Sequence, residues 1–233
     1  IQKGDANILN KLKEDSTVLK GYVKSLNQGD LNLTTSSNFF SENKTTVKLY
    51  RGRNIQKFQL IEKVAEFVDE DFKTELVDFN SKNTFIVLQE ITGTTDQFRI
   101  HACLTHEGDK FLFGHTANKI LLVDQQLNKI IVAILNSKLM DWFFRKTSTN
   151  NHVMGYEIEQ FPIKMPDKKT IRHVNSVVDK IMVLKSLSED TSELELKLDI
   201  LIFKLYKITT DEIKTIYPEI SLTEQEYENF KIH

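Results

Sequence analysis

The chain has 233 residues with 31 Lys or Arg against 33 Asp or Glu, a formal charge of −2, 40% hydrophobic residues, 8 Gly, 3 Pro and 1 Cys. That length holds one large domain, or a domain with an appendage, and the lone Cys103 excludes a disulfide framework and a paired-cysteine zinc site within the chain. No run approaches the roughly 18 apolar residues of a membrane span and IQKGDANILN carries no secretory signal, so the expectation is a cytoplasmic protein with no membrane partner.

Residues 6 to 14 read as a short helix, and 17 to 26 and 45 to 51 as strands. Between the strands lies NQGDLNLTTSSNFFSENK, a long polar loop of the kind that often carries function. Asn83 to Ile91 reads as a buried strand. Phe98, Ile100, Ala102 and Leu104 then alternate with Arg99, His101, Cys103 and Thr105, the period of a strand with one buried face and one free polar row. His106-Glu107-Gly108-Asp109 is turn chemistry, so Lys110 to Gly114 is expected to return as the second strand of a hairpin. Leu127, Ile131, Ile134, Leu135, Leu139, Trp142 and Phe143 form an apolar stripe that predicts one helix from about 125 to 146. Tyr156 to Ile163 reads as a short strand, and the stretch bounded by Pro162 and Pro166 as the domain boundary. Beyond it, stripes at Ile171 to Leu184 and Leu194 to Leu205 predict helices, with two shorter ones to follow. The fold class is therefore α+β: a domain over 1–166 with a mixed twisted sheet and flanking helices, then a helical segment over 167–233.

The charge is segregated. Residues 188 to 233 carry eleven acids and five bases, which leaves twenty-two acids and twenty-six bases in the rest. Glu62 to Asp78 holds seven acids and two lysines, which reads as a solvated helix face, whereas Lys48 to Phe58 holds four bases and no acid.

Enzyme signatures are missing from the sequence. It has no GxxxxGK, GxGxxG, GxSxG or HExxH. Cys103 lies near His101, His106 and His115, but an alternating strand puts His101 and Cys103 on one face in any case, so no metal site is assigned. Asp78 and Glu90 as nuclease carboxylates lack the acid-x-Lys that such a site wants. Binding features are stronger. Tyr50 to Phe58 (YRGRNIQKF) gathers two guanidiniums, an ammonium, two carboxamides and two aromatics around one glycine. Arg and Lys contact phosphates, while Arg, Asn and Gln also read base edges. Arg145 to His152 (RKTSTNNH) releases a helix end into short hydrogen-bonding side chains.

Five segments in this order resemble the TaqI-like C-terminal specificity domain of N6-adenine DNA methyltransferases and type IIG restriction-modification enzymes, itself related to type I specificity half-domains. They are YRGRNIQKF, FIVLQEI with FRIHACLT, LLVDQQLNKIIVAILNSKLMDWFF with its LNS, the lead from Lys146 to FPI, and LDILIFKLYKITTDEIKTIY, together covering about Leu19 to Tyr217. The resemblance implies sequence-specific contact with double-stranded DNA on behalf of a linked methyltransferase domain, often with a restriction nuclease. The target adenine would be flipped into that catalytic domain, which would also hold S-adenosylmethionine. No cofactor or catalytic residue is expected in this chain, whose start at Ile1 reads as part of a longer polypeptide. The expected DNA-facing residues are Arg51, Arg53, Asn54 and Lys57 in the first loop, Gln89, Arg99 and His101 on the strands, and Arg145, Lys146, Thr147, Ser148, Asn150 and Asn151 in the second loop. The rival expectation, favoured by the near-neutral charge, is a protein-interaction module of a restriction-modification or phage-defence enzyme that binds its partner through the 27–44 loop.

Overall fold

The computed structural model describes residues 3–64 and 66–230 and is α+β. Its strands are β1 (Thr17–Val18), β2 (Val23–Gln28), β3 (Phe40–Ser41), β4 (Lys48–Tyr50), β5 (Ile55–Gln56), β6 (Gln59–Leu60), β7 (Glu66–Val68), β8 (Ile86–Gln89), β9 (Ala102–Leu104), β10 (Phe111–Phe113), β11 (Ala117–Leu122) and β12 (Pro162–Ile163). Its helices are α1 (Lys3–Lys13), α2 (Thr74–Ser81), α3 (Asn128–Leu135), α4 (Lys138–Thr147), α5 (Gly155–Ile158), α6 (Lys168–Ser186), α7 (Ser192–Leu205), α8 (Thr210–Ile216) and α9 (Glu224–Asn229).

Alternating side chains build a central antiparallel sheet in the order β2-β11-β8-β9. On one face Ile86, Leu88, Ala102, Leu104, Ile120 and Leu122 join the largest apolar cluster. That cluster draws on both sides of Pro166, with Ile131 of α3 and Leu139 of α4 alongside Val174 and Val178 of α6 and Phe203 of α7. On the opposite face Val87, Cys103, Ala117 and Leu121 meet an aromatic group of Tyr50, Phe85, Phe111 and Phe113. A second sheet, β10-β4-β7-β3, covers this aromatic layer, and Leu31, Val47, Leu49, Val68, Val77 and Leu112 form a third cluster around it. None of the described helices is long and apolar enough to cross a membrane.

Because the central sheet is covered on both faces, the expected polar row is not free: Arg99, Cys103 and Thr105 are buried and His101 is half-buried. The expected hairpin also fails. After the 106–109 turn the chain leaves the central sheet, and β10 pairs in parallel with β4, Phe111 opposite Lys48 and Phe113 opposite Tyr50. Phe111-Leu112-Phe113 is apolar on both faces and needs a cover on each, which β9 does not supply.

The expected single helix over 125–146 is two. Asn136 breaks it by turning its carboxamide onto Ala102, accepting from the N–H at 2.9 Å and donating to the carbonyl at 2.8 Å. Ser137 then caps α4 by accepting the Met140 N–H. The Leu-Asn-Ser of the sequence thus has two separate structural tasks. Tyr156 to Ile163 is not one strand but the short helix α5 followed by β12, with Glu157 accepting the Met154 N–H at 3.1 Å. The acids of 62–78 lie on a turn, on β7 and on α2, not on one helix face.

Where α4 meets α7, the buried Asp199 accepts the Lys138 N–H at 2.8 Å. Burial pushes its carboxyl up to about 6, against the opposing pull of Lys57 and Lys138. A folded-state value above the unfolded one means the contribution to stability is fully present below about pH 4 and is lost as pH rises through 6. Asp199→Asn should therefore raise stability at pH 7 by about 2 kcal/mol and flatten its dependence between pH 4 and 6. Urea denaturation across that range checks this, and an unchanged slope would count against it.

Candidate nucleic-acid interface

The first basic segment leaves β4 at Tyr50 and turns at once. Asn54, fully buried, accepts the Arg51 N–H at 2.8 Å and donates to the Ile61 carbonyl at 2.8 Å, so it holds the turn together. Gly52 donates its N–H to Thr116 Oγ1 at 2.9 Å, and a Cβ at this position would lie 2.4 Å from the Thr116 carbonyl oxygen. Only glycine lets the turn approach the start of β11 so closely. Arg51 and Arg53 remain at the surface and share one carboxylate, Glu66, at 2.5 and 2.9 Å. Lys57 turns inward, its ammonium 4.1 Å from the Phe98 ring centroid and 3.4 Å from Glu195.

Thr116 links that turn to the end of β8. Its carbonyl accepts the Glu90 N–H at 3.0 Å, and Gln89 beside it donates its side-chain amide to the Ile91 carbonyl at 2.7 Å. From here a short ladder ties β8 to the second polar loop: Val153 donates to the Glu90 carbonyl at 2.7 Å and Thr92 to the Asn151 carbonyl at 3.2 Å. The Glu90 carboxylate accepts from Gln28 at 2.8 Å and from His152 Nδ1 at 3.1 Å.

Two arginines, the buried Arg99 and the half-buried Arg145, complete the joint. Arg99 donates to Thr92 Oγ1 at 2.9 Å and to the Asn150 carbonyl at 2.6 Å, its guanidinium 5.0 Å from the Phe144 ring centroid. Arg145 pairs with Asp141 at 2.6 Å and donates to the carbonyls of Thr94 and Asp96 at 3.2 and 2.7 Å. Asp141 also accepts the N–H groups of Arg99 and Ile100 at 2.5 and 3.1 Å. His101, its pKa lowered by burial, lies 3.1 Å from the Phe98 carbonyl through Nε2.

The structure therefore brings both predicted loops to one end of the central sheet, but it divides the predicted residues into two groups. Asn54, Lys57, Arg99, His101 and the buried Ser148 face the interior, and Arg145 is tethered to backbone carbonyls. Arg53, Lys146, Thr147, Asn150 and Asn151 are exposed, and Arg51 and Gln89 are partly so. Lys146 pairs with Asp5 of α1 at 2.9 Å, and Thr147 Oγ1 donates to the Phe143 carbonyl at 2.9 Å. Gln28, Thr116 and Asp141 escaped the sequence reading, because nothing local marks a residue whose partner is a distant loop. Cys103 is fully buried and burial pushes its thiol up, which removes it as a nucleophile. Among the described residues no cluster of His, Cys, Asp and Glu is suited to a metal. A cavity of 1010 Å³ between the β5-β6 hairpin and α6 is lined by none of the predicted residues.

No curated protein sequence matches the chain. Among solved structures, the type IIG restriction endonuclease BpuSI aligns with 94% of this chain and 33% of its own, at 13% identity and a TM-score of 0.53. The type IIL restriction-modification enzyme MmeI, solved in complex with DNA, aligns with 85% of this chain and 31% of its own, at 12% identity and a TM-score of 0.37. The chain thus spans about a third of the length of either enzyme. The family model of the TaqI-like C-terminal specificity domain matches residues 47–163, half of the chain and the stretch that runs from β4 through both polar loops to β12. The chain belongs to the family of TaqI-like C-terminal specificity domains.

Proposed function

We propose that this chain recognises a specific double-stranded DNA site on behalf of a linked N6-adenine methyltransferase, with or without a restriction nuclease, and performs no chemistry itself. The observation that carries this reading is the convergence of the two polar loops at one end of the central sheet, through Gly52–Thr116 and Glu90–His152. S-adenosylmethionine would be bound by the linked catalytic domain. Residues 1–166 would form the recognition unit and 167–233 its helical support.

The burial pattern changes the division of labour among the residues. Asn54, Lys57, Arg99 and Arg145 shape and brace the loops. Phosphate contact falls to Arg51, Arg53 and Lys146, and base contact to Asn150, Asn151 and His152. The shared Glu66 makes opposite effects testable. Arg53→Ala should weaken binding to all duplexes alike and lower the salt slope by about 1, whereas Glu66→Gln frees two guanidiniums and should strengthen nonspecific binding. Duplex titrations at several salt concentrations, followed by selection from a randomised duplex library, test the reading. Binding that is absent at low salt, or the same for every sequence, would overturn it.

A further inference from the structure

Glu90 sits where the two loops join, and its fixed position has a consequence for the ring beside it. Glu90 is nearly fully buried. Its N–H donates to Thr116 and its carbonyl accepts from Val153, so its backbone is held from both sides. The neighbouring residue, Ile91, forms an antiparallel bridge with His152, which fixes the His152 backbone to the same strand end. One carboxylate oxygen, Oε1, takes both the Gln28 amide at 2.8 Å and His152 Nδ1 at 3.1 Å.

A carboxylate has no proton to donate, so this contact requires the hydrogen on Nδ1. In the neutral imidazole, Nε2 is then a bare acceptor. Among the described residues Nε2 has no hydrogen-bond partner, and the His152 side chain is 48% exposed while its carboxylate partner is 5% exposed. The buried partner thus sets the hydrogen-bonding sense of an open ring in the loop assigned to base contact.

Resting on the DNA-recognition reading above, we propose that Glu90 is a positioning residue that fixes His152 Nε2 as an acceptor. His152 thereby reads a base that presents an exocyclic amine in the major groove, adenine through N6 or cytosine through N4. Guanine and thymine, which offer acceptors at the equivalent place, are rejected.

The experiment compares the full-length protein with its Glu90→Met and His152→Ala variants by selection from randomised duplexes near neutral pH. Methionine keeps the volume of Glu90 but removes the acceptor shared by Gln28 and Nδ1, which releases the ring hydrogen to move to Nε2. One base position should then lose its preference for adenine or cytosine over guanine or thymine, by about tenfold in relative affinity. The other positions should hold, and His152→Ala should lose preference at that same position only. Nitrogen-15 signals of the His152 ring in the unsubstituted protein supply a readout independent of DNA and of how the variants fold, with the hydrogen expected on Nδ1. A ring hydrogen on Nε2, or an unchanged site preference in a folded Glu90→Met protein, overturns the proposal. An unsubstituted protein that selects no sequence at all sinks the DNA-recognition reading with it.

Discussion

Lys119→Ala is expected to lower the unfolding free energy by about 3–5 kcal/mol, because it leaves a buried carboxylate without its counter-charge. Lys119 lies on β11, 3% exposed, with its ammonium on the Asp30 carboxylate, 2.8 Å from Asn80 Oδ1 and 4.6 Å from the Phe85 ring centroid. Burial pulls its pKa down while Asp30 holds it up. Asp30 in turn accepts the Phe113 N–H at 2.8 Å and the Asn80 amide at 3.2 Å, so one carboxylate ties the chain after β2 to β10, α2 and the central sheet. Removing both charges together, as Lys119→Met with Asp30→Asn, should cost less than Lys119→Ala alone. Chemical denaturation of the three proteins checks the order, and a loss below about 1 kcal/mol for Lys119→Ala would contradict the assigned role.

The second large effect is expected at Gly52. An added methyl group would overlap a backbone oxygen, not the end of a flexible side chain, so the turn itself has to retreat from β11. The Gly52–Thr116 hydrogen bond goes with it, and the Arg51 and Arg53 guanidiniums move relative to the second loop. Gly52→Ala should cost about 2 kcal/mol in stability and at least about tenfold in duplex affinity. Denaturation and duplex titration at fixed salt measure both. Affinity within a factor of two of the parent would show that the close approach does not position the arginines.

The contrast between the two polar loops explains what a sequence can reveal here. Residue types that bind DNA are visible in YRGRNIQKF and RKTSTNNH, and so is the α+β class, since both hydrophobic periods are present. Direction is not visible. Lys57 turns inward because Phe98 and Glu195 await it, and neither is near it in the chain. The acids between 62 and 78 looked like a solvated face, yet Glu66 is the partner of both surface arginines. The apolar stripe runs unbroken through Asn136, so the division into α3 and α4 depends on a contact with Ala102 that no local pattern encodes. The pairing of β10 with β4 is likewise a choice among distant strands.

That same Asn136 contact also bears on how the protein behaves in a crowd of its own copies. β9 is the last strand of the central sheet, and an open strand edge is a template for pairing with another chain. Asn136 occupies both the N–H and the carbonyl of Ala102, and the Phe58 N–H adds a second bond to that carbonyl at 2.8 Å. A carboxamide thus stands in for the missing neighbour strand at Ala102 and blocks this edge to another strand at that point.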